Sequence, residues 1–220
     1  MEKETLQTGG KPSLIKMIWS PGPQLDKIRE NPKILGALII VTLVFVLSSV
    51  FTAMGMTVDF LMDTGLSKEE AELLLGFTKG TAIATGFFLP VISILISSVI
   101  YLIIVKIAKK DVTFKQIFSM NVYISIIGAI GLLLNSFIQW AIGGNPEITI
   151  TSIAGLLNSN SPILAQFEVF AIWQYIVTAL GLQKVCRFSK GASWTIVIVL
   201  FIIGLLFGLI GQLFQGVAGV

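Results

Sequence analysis

The chain has 220 residues, of which 55% are hydrophobic and 12% charged, with a net charge of +3 at neutral pH. A soluble domain of that make-up would lack the polar surface to cover itself, so bilayer hydrocarbon must solvate much of the chain. With no His and one cysteine, Cys186, the sequence excludes a Ser-His-Asp triad, an HExxH zinc site, an internal disulfide and a cysteine metal cluster, and it carries no P-loop.

Residues 1–33 are polar and basic, without the continuous apolar core of a cleavable signal peptide. Within them, LIKMIW reads as a short amphipathic piece ending at Trp19. An elbow at Pro21-Gly22-Pro23 follows, then a second piece from Gln24 to Glu30 with Leu25 and Ile28 on one face. The pattern predicts a cytosolic segment lying on the inner membrane surface and anchored by Trp19.

About 20 apolar residues are needed to cross the roughly 30 Å hydrocarbon core, and five runs meet that length: 34–56, 80–105, 120–142, 162–182 and 194–213. The expectation is an all-α polytopic membrane protein: five transmembrane helices spanning 34–213, short amphipathic interfacial helices and a short outer tail at 214–220. The second run is longest and should tilt or kink at Pro90. Ahead of it, Ser67 and Glu70 form a capping-box pattern before the apolar stretch Ala71 to Phe77, which predicts a short outer interfacial helix. In the third connection, Ser161 and Pro162 suit the N-cap and first residue of the fourth span. Trp194 lies near the start of the last run, as an interfacial anchor would.

Apart from Lys68 and Lys79, the fifteen Lys and Arg fall on the N-terminal segment and the second and fourth connections. The positive-inside rule then predicts a cytoplasmic N-terminus and an extracytoplasmic C-terminus in a bacterial cell membrane. Spread over three connections, these charges suit anionic lipid headgroups, not nucleic acid. The first outer loop is acidic, carrying Asp59, Asp63, Glu69, Glu70 and Glu72.

Glu168 is the ionisable side chain that falls inside a predicted span. At about 9 Å from the helix start by a rise of 1.5 Å per residue, it reads either as a carboxylate near the headgroups and the positive helix end or as a contact for a ligand or partner. Asn121, Tyr123, Asn135, Gln139, Gln174 and Tyr175 mark the third and fourth spans, either as interhelical hydrogen-bonding groups or as a polar pathway. Gly204, Gly208 and Gly211 form a small-residue face on the last span, suited to packing within one subunit or between copies in a homo-oligomer. Cys186, at the inner end of the fourth span, reads as an ordinary cysteine or as a palmitoylation site. Nothing in the chain asks for a metal or cofactor. One carboxylate at membrane depth gives no acid pair, so catalysis is not expected.

Two stretches carry a family resemblance. Ile18-Trp19-Ser20-Pro21 with Leu25, Ile28 and Asn31-Pro32 resembles the opening of bacterial Yip-family domains. Ile172-Trp173 through Gly181-Leu182 to Ser189-Lys190-Gly191 resembles that family's fourth span and its exit into a short basic loop. The third span, at Asn121-Val122-Tyr123-Ile124-Ser125-Ile126, lacks the proline that family members often carry after the aromatic residue. The N-terminal 22 residues are also similar to the start of one Yip-family protein of bacilli. The resemblance implies a non-enzymatic accessory subunit working with an ABC-type exporter in protection against a peptide toxin. Two other readings stand beside it: a small transporter or channel-like protein with a polar route near Glu168, Asn135 and Gln139, and a membrane-shaping protein.

Overall fold

The computed structural model describes residues 10–146, 148–159 and 161–218, so Lys3 and the rest of the first nine residues lie outside the described part. Within the described residues ten α-helices follow one another: α1 (Leu14–Trp19), α2 (Pro21–Glu30), α3 (Leu35–Gly55), α4 (Val58–Asp63), α5 (Lys68–Ile107), α6 (Phe114–Ile142), α7 (Ile153–Leu156), α8 (Pro162–Ala165), α9 (Val169–Lys184) and α10 (Lys190–Ala218). Among the described residues four of them, α3, α5, α6 and α10, are long and apolar enough to cross a membrane.

Local chemistry sets many of the helix ends. The Ser67 hydroxyl accepts from the Glu70 N–H, while the Glu70 carboxylate accepts the Ser67 N–H at 2.9 Å. Thr113 and Gln116 repeat the reciprocal cap at the start of α6. At the other end of α6, Gly143 adopts φ +63°, a left-handed conformation that favours glycine.

Two helices depart from the expected boundaries. The predicted outer helix at Ala71 to Phe77 does not stand apart from the second span: both belong to the 40-residue α5. Thr78 and Thr81 there return their hydroxyls to helix carbonyls, and Gly80 between them stays helical. The predicted fourth span, 162–182, is divided into α8 and α9. Between them Phe167 accepts the Ile153 N–H at 3.1 Å, and the Val169 N–H donates to Thr151 at 3.3 Å. Backbone pairing with the preceding loop therefore replaces helix continuation, and Glu168 becomes the extended N-cap of α9.

α6 is the centre of the bundle, packing on α3, α5 and α9 and touching α1 and α2. Its most apolar stretch is 67% buried, against 11% for that of α10, which packs on α8 and α9 at the periphery. Close approaches occur where a side chain is missing. A Cβ at Gly131 would meet Phe170 at 2.6 Å, and one at Gly181 would meet the Met120 sulfur at 2.7 Å. These contacts show α9 running antiparallel to α6 over most of its length, although it is only 16 residues long. On α10, Gly204 faces open space and Gly208 lies beside Gln166, while the surroundings of Gly211 fall outside the described residues.

The amphipathic N-terminal helices turn one face to the bundle. Met17, Leu25 and Ile28 are fully buried within the main core. Pro21 and Pro23 lie in the first turn of α2, where a missing N–H has no consequence, so the bend falls at Ser20 instead.

Candidate functional site

The polar residues predicted within the spans divide among three places. The first is at the acidic end of the bundle, where the third connection folds over α6 and α9. Asn135 donates to the Thr151 hydroxyl at 2.8 Å and accepts the Thr151 N–H at 3.0 Å. The Thr151 hydroxyl donates to one Glu168 oxygen at 2.5 Å, and the other accepts the Ala171 N–H at 2.6 Å. Gln139 ties the same loop down by donating to the Ile148 carbonyl at 2.7 Å. Glu168, Asn135 and Gln139 thus hold a loop in place, and both carboxylate oxygens of Glu168 are engaged.

The second is at the basic end, where side chains of α6 and α9 bond the N-terminal backbone. The Trp173 indole donates to the Ile18 carbonyl and the Ser119 hydroxyl to the Lys33 carbonyl, each at 2.7 Å. Gln116 donates to the Arg29 carbonyl at 2.7 Å, and the Tyr123 hydroxyl to the Pro12 carbonyl at 3.3 Å. Lys184 pairs with Asp26 at 2.6 Å, and Lys110 sits 6.0 Å from the Phe188 ring. Three basic segments remote in sequence are thereby joined into one surface. Trp19 projects outward at 65% exposure, whereas Trp194 packs partly against the core. Cys186 is fully buried beneath this surface, and burial pushes its thiol up to about 12. A buried protonated thiol offers neither the access nor the thiolate that acylation needs.

The third place is a cavity of about 500 Å³ between α5 and α9, floored by α6 and closed on one side by Phe45 of α3. Asn121 and Gln174 belong here, with Tyr175 beside them. The sequence did not mark the other polar wall residues as a site: Ser93 and Ser97 on α5, whose spacing reads as a helix-packing face, Tyr101 on α5, Ser125 on α6 and Thr178 on α9. The available signal was periodicity. Polar residues recur at i, i+4 and i+8 along 93–97–101, and at i, i+4 in 121–125 and 174–178, which places each set on one helix face. Asn121 bridges from α6 to α5 by donating to the Ser98 hydroxyl at 2.8 Å and, more weakly, to Ser97 at 3.4 Å. The lining includes no charged residue. Among the described residues no three His, Cys, Asp or Glu side chains form a metal-binding group.

A model of the Yip1 domain matches residues 15–211, a range that starts in α1 and ends in α10. The chain is 34% identical to membrane protein YknW of Bacillus subtilis (strain 168), over 100% of this chain and 98% of the relative. No solved structure matches it. Since the matched range takes in the docked N-terminal helices together with the long apolar ones, the chain belongs to the Yip1-domain family of membrane proteins.

Proposed function

We propose that this protein is a non-enzymatic accessory subunit of the cell membrane that binds another integral membrane complex through its basic end. The observation behind this reading is the basic surface assembled at that end. α1 and α2 are held by backbone hydrogen bonds from α6 and α9, leaving Lys16, Lys106, Lys109, Lys115, Arg187 and Lys190 exposed around them. A preorganised basic face meets an acidic partner or anionic headgroups without first ordering a flexible tail. By the positive-inside rule this face is cytoplasmic, the α8–α9 pair counts as the fifth crossing and the C-terminus is outside. The family resemblance supports an ABC-type exporter as the partner, with protection against a peptide toxin as the purpose.

Co-isolation tests the reading. Cross-linking in native membranes, followed by purification in mild detergent, should recover an integral membrane complex with cross-links at Lys106, Lys109 or Lys115. Reversal of Lys109 and Lys115 to Glu should abolish that recovery. A chain that purifies alone, gives no cross-links and moves a solute in liposomes overturns it. A membrane-shaping role would need α1 and α2 to lie in the lipid surface, and the burial of Met17, Leu25 and Ile28 in the bundle argues against that.

A further inference from the structure

Inside a membrane a polar side chain normally finds a partner on a neighbouring helix, because hydrocarbon offers none. Asn121 does so. Four groups around the cavity do not. Among the described residues the Tyr101 and Tyr175 hydroxyls, the Gln174 side-chain amide and the Ser93 hydroxyl make no hydrogen bond. Every fully buried side-chain nitrogen and oxygen in the described part is paired. The unpaired groups are therefore those the cavity leaves reachable.

The remaining hydroxyls set the polarity of the wall. Ser97 donates to Ile94, Ser125 to Val122 and Thr178 to Gln174, each to a carbonyl of its own helix. Their hydrogens are used, so toward the cavity these oxygens act as acceptors. Tyr101, Tyr175 and the Gln174 amide supply donors. A ligand matching this wall carries both a hydroxyl to give and carbonyls to receive.

Charge and access narrow the class further. With no cation in the lining, a phosphate or carboxylate would be buried without compensation, which disfavours anionic headgroups. No extended contact joins α5 to α9, and the α5 wall at Leu89 and Ser93 is exposed where the bundle meets lipid. The route in is lateral, from the bilayer. Lining residues from Leu89 to Tyr101 cover about 18 Å of helix at 1.5 Å per residue, so a headgroup and the first part of its chains fit along the slot. At about 500 Å³ the volume lies within the ordinary range of ligand pockets. Pro90, at the same level of α5, leaves the Gly86 carbonyl without its usual helical donor.

We infer that the cavity between α5 and α9 binds a neutral glycerolipid, a diacylglycerol-like molecule whose free hydroxyl donates to one of the Ser97, Ser125 and Thr178 oxygens and accepts from the Ser93 hydroxyl. Its ester carbonyls accept from Tyr101, Tyr175 and Gln174. The site is independent of the partner-binding surface at the basic end, and its test needs no partner. The full chain is reconstituted in phosphatidylcholine vesicles containing a photoreactive diacylglycerol, and the labelled residues are mapped by mass spectrometry. Labels should concentrate on residues 89–101 and 171–178, and unlabelled diacylglycerol should compete while phosphatidylglycerol should not. Gln174→Leu should lower this labelling about tenfold and Ser93→Ala about threefold, the loss expected for one or two hydrogen bonds. Because Ser93 is exposed and unpartnered, its variant keeps the test valid if Gln174→Leu fails to fold. Labelling spread over α10 without enrichment in the cavity, labelling indifferent to the variants that fold, or equal competition by phosphatidylglycerol overturns the inference.

Discussion

Two polar clusters each draw on α9, and they differ in one respect. At the acidic end, Asn135, Thr151 and Glu168 bond to one another and to backbone. In the cavity, the Tyr101 and Tyr175 hydroxyls and the Gln174 side-chain amide make no hydrogen bond among the described residues. The residue types are similar, so composition does not separate them. What separates them is a loop: the third connection brings Thr151 and its backbone to one cluster, while no loop among the described residues covers the other. A closed cluster maintains architecture, and an open one has hydrogen-bonding capacity left for a ligand.

Substitution should make that difference measurable. Asn135→Leu removes the anchor of Thr151 and strands its N–H, and should lower stability by about 3 kcal/mol, read as thermal unfolding in detergent. Gln174→Leu is almost isosteric and strands nothing, so its stability should stay within about 0.5 kcal/mol of the parent. Equal losses in the two variants would erase the distinction between the clusters. Glu168→Gln keeps an oxygen for the Ala171 N–H and loses the charge, and should destabilise by about 1 kcal/mol.

Two titratable groups extend the contrast between closed and open surroundings. Cys186 has a folded value of about 12 against 9.0 for the free thiol. Its contribution to stability is complete below pH 9.0 and is lost as pH rises from there toward 12. At pH 8 a maleimide should label native protein at least 100-fold more slowly than unfolded protein, and fast labelling would show that the basic end opens. The smallest effect concerns Glu70, fully exposed, whose carboxyl is held below its usual 4.5 by the Ser67 hydroxyl and N–H. Its contribution is present above pH 4.5 and lost as pH falls through the lowered value. Amide exchange at residues 67–70 should rise on that acid limb while the rest of α5 stays protected.

The caps show how local some of the fold is. Ser67 with Glu70, and Ser161 before Pro162, are legible because each needs only residues within four positions. The extent of α5 was not legible. The polar residues 67–72 look like a loop start and the apolar run looks like a separate span, while continuity depends on Gly80, between Thr78 and Thr81, keeping helical geometry. Of the candidate residues, Asn121 and Gln174 led to the cavity, but its serine face on α5 looked like ordinary helix packing. Glu168 was legible as an unusual residue, and its role was not. Its partner Thr151 lies in a different element, and no spacing rule links the two.

The amino-acid sequence by itself determined the solvent, the long apolar helices and the alternation of charge between the two ends, because hydrocarbon length and lipid charge act on each segment separately. Only tertiary structure decided that the fourth run breaks at Glu168, that the N-terminal helices sink into the bundle and that unpaired hydroxyls and an amide face one cavity. Each of these depends on which backbone groups and side chains from distant parts of the chain meet, and a periodic pattern along one helix carries no information about the partner opposite it.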